Sequence, residues 1–146
     1  MPKESPTTGE LQNILLNTQS TNGLADYLKQ HTRPDCDLSF SAVFQELLEQ
    51  HHLSKADIVH KSRLDRTYAY QILSGKKSPS RDKILALSIA AGFSPREVRR
   101  LLECAKAGIL YSRSARDAVI LYGIEHHLDL MRINEMLLDI KEKSIQ

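Results

Sequence analysis

The sequence predicts an all-α protein built from about eight short helices. Three observations carry this expectation. Apolar residues recur at i, i+3, i+4 and i+7 through nearly every periodic stretch, and no run alternates apolar and polar residues as a half-buried strand would. Serine, proline and glycine stand at the ends of these stretches, where helices start and stop. The length, 146 residues, accommodates one domain, or one domain with a helical appendage.

Taken in chain order, residues 1–9 hold two prolines, two threonines and a glycine and are expected to be mobile. Leu11, Ile14 and Leu15 share one helix face, and Leu24, Tyr27 and Leu28 share another, separated by the polar run 18–23. Thr32-Arg33-Pro34-Asp35 interrupts the pattern, because proline disfavours a helical residue before it. Phe40, Val43, Phe44, Leu47 and Leu48 form a full core-facing stripe, with Ser39 or Ser41 as its cap. A short helix is expected from Ser54 to near Ser62, burying Ala56, Ile58 and Val59, and another from Arg66 to near Leu73, closed by Ser74-Gly75. Pro79 and Ser80 open a helix running through Ile84, Leu85, Leu87, Ser88 and Ala91 to Gly92. Ser94-Pro95-Arg96-Glu97 is a capping box with proline at the first helical position; its helix is expected to bury Val98, Leu101, Leu102 and Ala105 and to stop at Gly108. Two more stripes follow, Ala115, Ala118, Val119 and Tyr122, then Leu130, Ile133, Leu137 and Ile140.

Composition excludes several classes. An apolar fraction of 41% argues against a disordered chain. The start, Met1-Pro2-Lys3-Glu4-Ser5, has no hydrophobic signal core, and no apolar run approaches the ~18–20 residues of a membrane helix. Cys36 and Cys104 have no CxxC spacing and cannot make a disulfide framework, so a reducing cytoplasm is the expected compartment. The net charge of +2 hides a strong asymmetry. Lys/Arg against Asp/Glu number three to seven in residues 1–53, eleven to four in 54–100 and six to seven in 101–146. The middle segment is thus suited to face a polyanion.

Within that basic segment, two helices of about two turns each are joined by Arg63-Leu64-Asp65. Ala56 would permit close helix approach, Leu64 would plug the turn, and Ala69 and Ile72 would seat the second helix. That helix then exposes Arg66, Thr67, Tyr70 and Gln71. Such side chains can reach base edges: arginine pairs with guanine, glutamine with adenine, and a threonine methyl meets thymine.

The order and spacing of the residue 40–48 stripe, Leu53-Ser54, Ala56-x-Ile58-Val59, Leu64, Ala69-x-x-Ile72, Gly75, Pro79 and the following Leu/Ala face resemble the helix-turn-helix of the phage repressor and Cro (XRE) family over about residues 40–103. The resemblance implies a lambda-repressor-like five-helix domain whose third helix lies in the major groove of double-stranded DNA. It divides the chain into an acidic helical segment, 1–37, a DNA-binding domain, 38–108, and a C-terminal helical extension, 109–146. It implies base reading by Arg66, Thr67, Tyr70 and Gln71. Backbone contacts would come from Ser54 and Lys55 at the start of the first of the two helices, and from Arg63, Tyr68, Lys76, Lys77, Ser78 and Arg81 around the second. Arg63 departs from the family, which often has glycine, asparagine or serine in the turn; a positive φ there would strain it. A bacterial or phage-derived, cytoplasmic transcriptional regulator, most simply a repressor, is the implied function.

No catalytic, metal or cofactor site is expected. His51-His52 and His126-His127 are adjacent pairs, which diverge by about 100° on a helix and cannot chelate one ion together. There is no zinc-ligand spacing, phosphate-cradling glycine loop or nucleophile elbow. Arg96, Arg99 and Arg100 read as solvated or partner-facing. Because such regulators bind pseudo-palindromic sites as dimers, the C-terminal helices are open to two readings: a homodimer contact through Tyr111, Val119, Tyr122, Leu130, Ile133, Met136, Leu137 and Ile140, or a cap on the core. On the first, a charge at Ile133 splits the dimer. The acidic N-terminal segment can pack on the core or take a protein partner. The alternative function is an antitoxin or adaptor of a mobile-element or defence operon, in which the helix-turn-helix autoregulates or docks a protein.

Overall fold

The structure is a computed structural model and describes residues 38–146. Among these residues it holds seven helices and no strand: α1 (Phe40–Gln50), α2 (Lys55–Ser62), α3 (Arg66–Leu73), α4 (Arg81–Ala91), α5 (Pro95–Cys104), α6 (Ala115–Glu125) and α7 (Leu130–Asp139). The mobile start and the helices expected around 11–15 and 24–28 lie outside the described residues.

Every one of these helices starts at an oxygen-bearing side chain that accepts a first-turn backbone N–H: Ser39, Ser54, Asp65, Ser80, Ser94, Ser114 and Asp129. Each such cap stabilises its helix by about 1 kcal/mol. The box at Ser94 is complete, with the Ser94 N–H donating to Glu97 Oε1 at 3.0 Å and the Glu97 N–H to Ser94 Oγ at 3.2 Å. The far ends are more unusual. Gly75 and Gly92 take the left-handed conformation expected of them, but so do His52, Arg63, Lys106, His127 and Lys141. All five are basic residues at helix C-termini, where the negative end of the helix dipole favours a cation. The Lys106 stop explains why α5 ends at Cys104 rather than at Gly108: the Ala107 N–H donates to Leu102 O, five residues back, at 3.0 Å and closes a Schellman turn.

One hydrophobic core runs through residues 38–146. The α1 stripe is buried as the spacing predicts, and Phe44 meets Phe93 edge-on with ring centroids 5.3 Å apart. Ile84, Leu85 and Leu87 of α4 form the centre of this core, with Val98, Leu101 and Leu102 of α5 beside them. Ala56 departs from expectation and is exposed; α2 turns Ile58, Val59 and Ser62 inward instead, a stripe in which a serine takes an inner position. Ser62 satisfies itself there, donating to Val59 O at 2.7 Å and accepting from the Leu64 N–H at 3.3 Å.

The expected face of α6 is also corrected. Asp117, Ile120, Gly123 and Ile124 point inward, while Ala115 and Tyr122 are exposed. On α7, Leu130, Ile133 and Leu137 are buried but Ile140 is not. Ile133 is fully buried, and its side chain occupies the space over Gly123, where a Cβ would come within 2.5 Å of Ile133 Cδ1. A charge at Ile133 would therefore break this core rather than a dimer contact. Ile120, Ile124, Ile133 and Leu137 belong to the same cluster as Leu85 and Leu101, so residue 108 is not a seam.

A reciprocal exchange of charges joins the α6 N-terminus to that of α4. Arg81 donates to Asp117 at 2.9 Å through Nη1 and 2.7 Å through Nη2, while Arg116 donates to both oxygens of Asp82 at 3.2 and 3.0 Å. Arg81 also binds the carbonyls of Gly108 and Ile109, and Arg116 those of Lys143 and Ser144. The Tyr111 N–H gives Asp117 a third bond at 2.9 Å. Burial alone would raise the Asp117 carboxyl, but the Arg81 and Tyr111 hydrogen bonds outweigh it and hold it below its usual range. The last residues are fastened too: Ile145 is buried, and its N–H donates to Asn134 Oδ1 at 2.7 Å.

Candidate nucleic-acid interface

The α2–α3 pair is fixed by its turn. Arg63 ends α2 at φ 60°, and Asp65 starts α3 by accepting the Tyr68 N–H at 2.9 Å. The positive φ at Arg63 is thus a feature of the structure, and it carries the strain of a Cβ in the left-handed region. Ala69, Ile72 and Leu73 turn inward and seat α3, with Leu64 half-buried under the turn. Because these three occupy one side of the helix, Arg66 and Thr67 stand exposed on the other, with Tyr70 and Gln71 half-buried.

Six residues expected to touch DNA line one open depression: Lys55, Arg66, Thr67, Tyr70, Gln71 and Lys76, with Ser74 completing it. Arg66 stacks its guanidinium toward the Tyr70 ring, 5.9 Å from the centroid, which restrains both side chains at the rim. The Gln71 carbonyl organises the adjoining loop. It accepts from Ser74 Oγ at 3.1 Å, from the Lys76 N–H at 2.9 Å and from the Lys77 N–H at 3.2 Å. Gly75, at φ 84°, permits this tight return, and a Cβ there would lie 3.1 Å from Ser41 Oγ. The two lysines are in this way held beside the exposed side of α3.

Other expected residues stand elsewhere. Ser54 spends its hydroxyl capping α2, at 3.5 Å from the Asp57 N–H. Arg63 lies away from the depression, in a cleft between α2 and the turn that joins α6 to α7. Ser78 is exposed in the loop before α4. Arg81 has a different task from the phosphate contact expected of it. Four of its five N–H donors are committed to Asp117 and to the carbonyls of Gly108 and Ile109, and its hydrogen bond to Asp117 raises its own pKa further. A guanidinium so engaged is a clasp on α6.

Lys83 is the residue the sequence reading missed. Its ammonium lies 5.9 Å from the centre of the Tyr68 ring, and Lys77 lies 5.5 Å from the same ring. The signal available was its place in the first turn of α4, three residues after the Ser80 cap; that this turn faces α3 is visible only in the structure.

Cations predominate on this side, with the carboxylate of Asp65 engaged at the α3 cap. Among the described residues no carboxylate lies within ion-pair distance of Lys55, Arg66, Lys76, Lys77 or Lys83. On α5, by contrast, Arg99 pairs with Glu103 and Arg100 with Glu46. Among the described residues, no group of three His, Cys, Asp or Glu side chains is arranged to hold a metal ion. No helix there is long and apolar enough to cross a membrane. Comparison of the chain with protein-family models, with curated proteins and with solved structures found no match.

Proposed function

We propose that the protein is a sequence-specific DNA-binding transcriptional regulator, a cytoplasmic repressor in which α1–α5 form a lambda-repressor-like domain of the XRE type and α3 reads the major groove. The observation that carries this reading is the depression around α3: cations on its rim that have no ion-pair partner among the described residues, Thr67 and Gln71 between them, and a buried opposite side that holds the helix rigid. Rigid presentation matters because base contacts tolerate little misplacement. In this reading Arg66, Thr67, Tyr70 and Gln71 meet base edges, and Lys55, Lys76, Lys77 and Lys83 meet phosphates. One such helix reads too few base pairs to be selective, so two copies bind a pseudo-palindrome. With Leu130, Ile133 and Leu137 internal, a second copy would use the exposed Tyr122, Met131, Leu138 and Ile140.

The test is selection of bound duplexes from a random pool at physiological salt, alongside Arg66→Ala and Gln71→Ala. The expected result is a palindromic motif, with each substitution costing about 1–3 kcal/mol on it and relaxing one base position. Equal losses on selected and random DNA would restrict these side chains to phosphate. No enrichment by a folded protein would overturn the regulator reading in favour of a protein-docking module.

A further inference from the structure

A second hollow, of about 750 Å³, lies between α2, the end of α4 and the turn that joins α6 to α7. It is within the ~300–1,000 Å³ range of small-molecule sites. Leu53, Leu128 and Met131 give it an accessible apolar side over the buried Ile58 and Ile89, and His52, His60, Lys61, Arg63 and His127 stand on its rim.

Two features of this hollow stand out. The first is where its rim side chains sit on the backbone. Five non-glycine residues among those described adopt positive φ, and three of them, His52, Arg63 and His127, line this one cleft. A left-handed residue with a Cβ costs about 1–2 kcal/mol, which glycine would avoid. Each of the three nevertheless carries a side chain able to donate to an anion. The second feature is charge. Among the described residues, neither Lys61 nor Arg63 has a carboxylate within ion-pair distance. The two acids of the cleft are differently placed: Asp129 spends its carboxylate on the Arg132 N–H at 2.8 Å, and Asp57 lies in the first turn of α2, against the positive end of that helix.

From the apolar side and the cations without a carboxylate partner among the described residues, we propose that this cleft binds a small organic anion with an aromatic or alicyclic body. The ring lies against Leu53, Leu128 and Met131. The acid group is held by Arg63, whose planar fork matches a carboxylate or sulfonate, with Lys61 as a second charge. This site is separate from the α3 depression and does not depend on the DNA-binding reading.

The experiment is a fluorescence titration of the full chain with 8-anilinonaphthalene-1-sulfonate, with N-phenyl-1-naphthylamine as the same ring system without the acid group. Lys61→Gln and Arg63→Gly are the variants. The glycine relieves the left-handed strain, so its protein melts no lower than the native chain, and weaker binding cannot come from misfolding. Expected are 1:1 binding of the sulfonate, a loss of at least about tenfold in Arg63→Gly and a smaller loss in Lys61→Gln. The uncharged probe is insensitive to both changes, and the amides of Gly92 and Leu128 shift on binding. Absence of sulfonate binding by the native chain overturns the proposal. So does an affinity unchanged in both variants, or amide shifts centred on the apolar groove formed by Pro95, Leu102, Ile109 and Leu121 instead.

Discussion

Replacing Asp117 with alanine takes away the acceptor of three hydrogen bonds, two from the Arg81 guanidinium and one from the Tyr111 N–H. The Asp117 side chain is only 9% exposed, so the groups left behind are poorly reached by water; Arg81, at 27%, is better hydrated and keeps its two carbonyl partners. Removing one member of a well-buried ion pair costs about 3–5 kcal/mol, and the partial exposure of Arg81 brings the expectation to the low end, about 3 kcal/mol. Urea unfolding followed by circular dichroism reads this as a lower midpoint at unchanged m-value. The double variant Arg81→Met, Asp117→Leu should lose less than the two single losses combined, with a coupling of about 2 kcal/mol. The pH dependence has a definite sign. Asp117 is held below its unfolded value of about 3.9, so the pair's contribution is fully present above that value and disappears as pH falls through the lower folded one. Asp117→Asn therefore flattens the acid limb of the stability curve. A loss under about 1 kcal/mol, or strict additivity in the cycle, would refute the view that this pair ties the C-terminal helices to α4.

Three other outcomes are expected. Gly123→Ala inserts a methyl group into the fully buried Ile133 side chain and should cost about 1–2 kcal/mol in thermal unfolding, despite alanine's better helix propensity. Ser88 is fully buried and its hydroxyl finds no hydrogen-bond partner among the described residues, so Ser88→Ala should be neutral or stabilising by up to about 1 kcal/mol in the same assay. Lys106→Gly places the residue best suited to a left-handed helix stop at φ 53° and should raise stability by about 0.5–1 kcal/mol, read as a higher melting temperature.

Much of this fold is legible in the sequence because its helices start on local chemistry. A serine or aspartate before an apolar stripe needs no tertiary information, and the limits of α1, α3 and α4 follow from such residues together with Gly75 and Gly92. The exposed residues of α3 are legible for the same reason, since burying Ala69, Ile72 and Leu73 leaves only one side free. Helix ends made by basic residues were not legible: nothing in Lys106 or His127 announces a positive φ, which arises when the chain must turn back over a packed leucine. The inner side of α6 was hidden by chemistry of another kind. Asp117 reads as a surface residue until Arg81, thirty-six positions earlier, is known to reach it. The same partnership removed Arg81 from the expected phosphate contacts, while Lys83, two residues further along α4, could be placed beside Tyr68 only once α3 and α4 were seen together.

Because Arg81 and Asp82 trade partners with Asp117 and Arg116, the segment 38–108 cannot be excised and remain the same object. A fragment ending at 108 would strand two neighbouring charges at the start of α4 and uncover the leucines against which α6 and α7 rest. Conversely, a nick in the exposed link at Lys106 or Arg113 leaves both pieces their full set of mutual partners. What the link contributes is held by Gly108, Ile109 and Tyr111, which bind Arg81 and Asp117, so its continuity at Lys106 or Arg113 matters less than these three residues do.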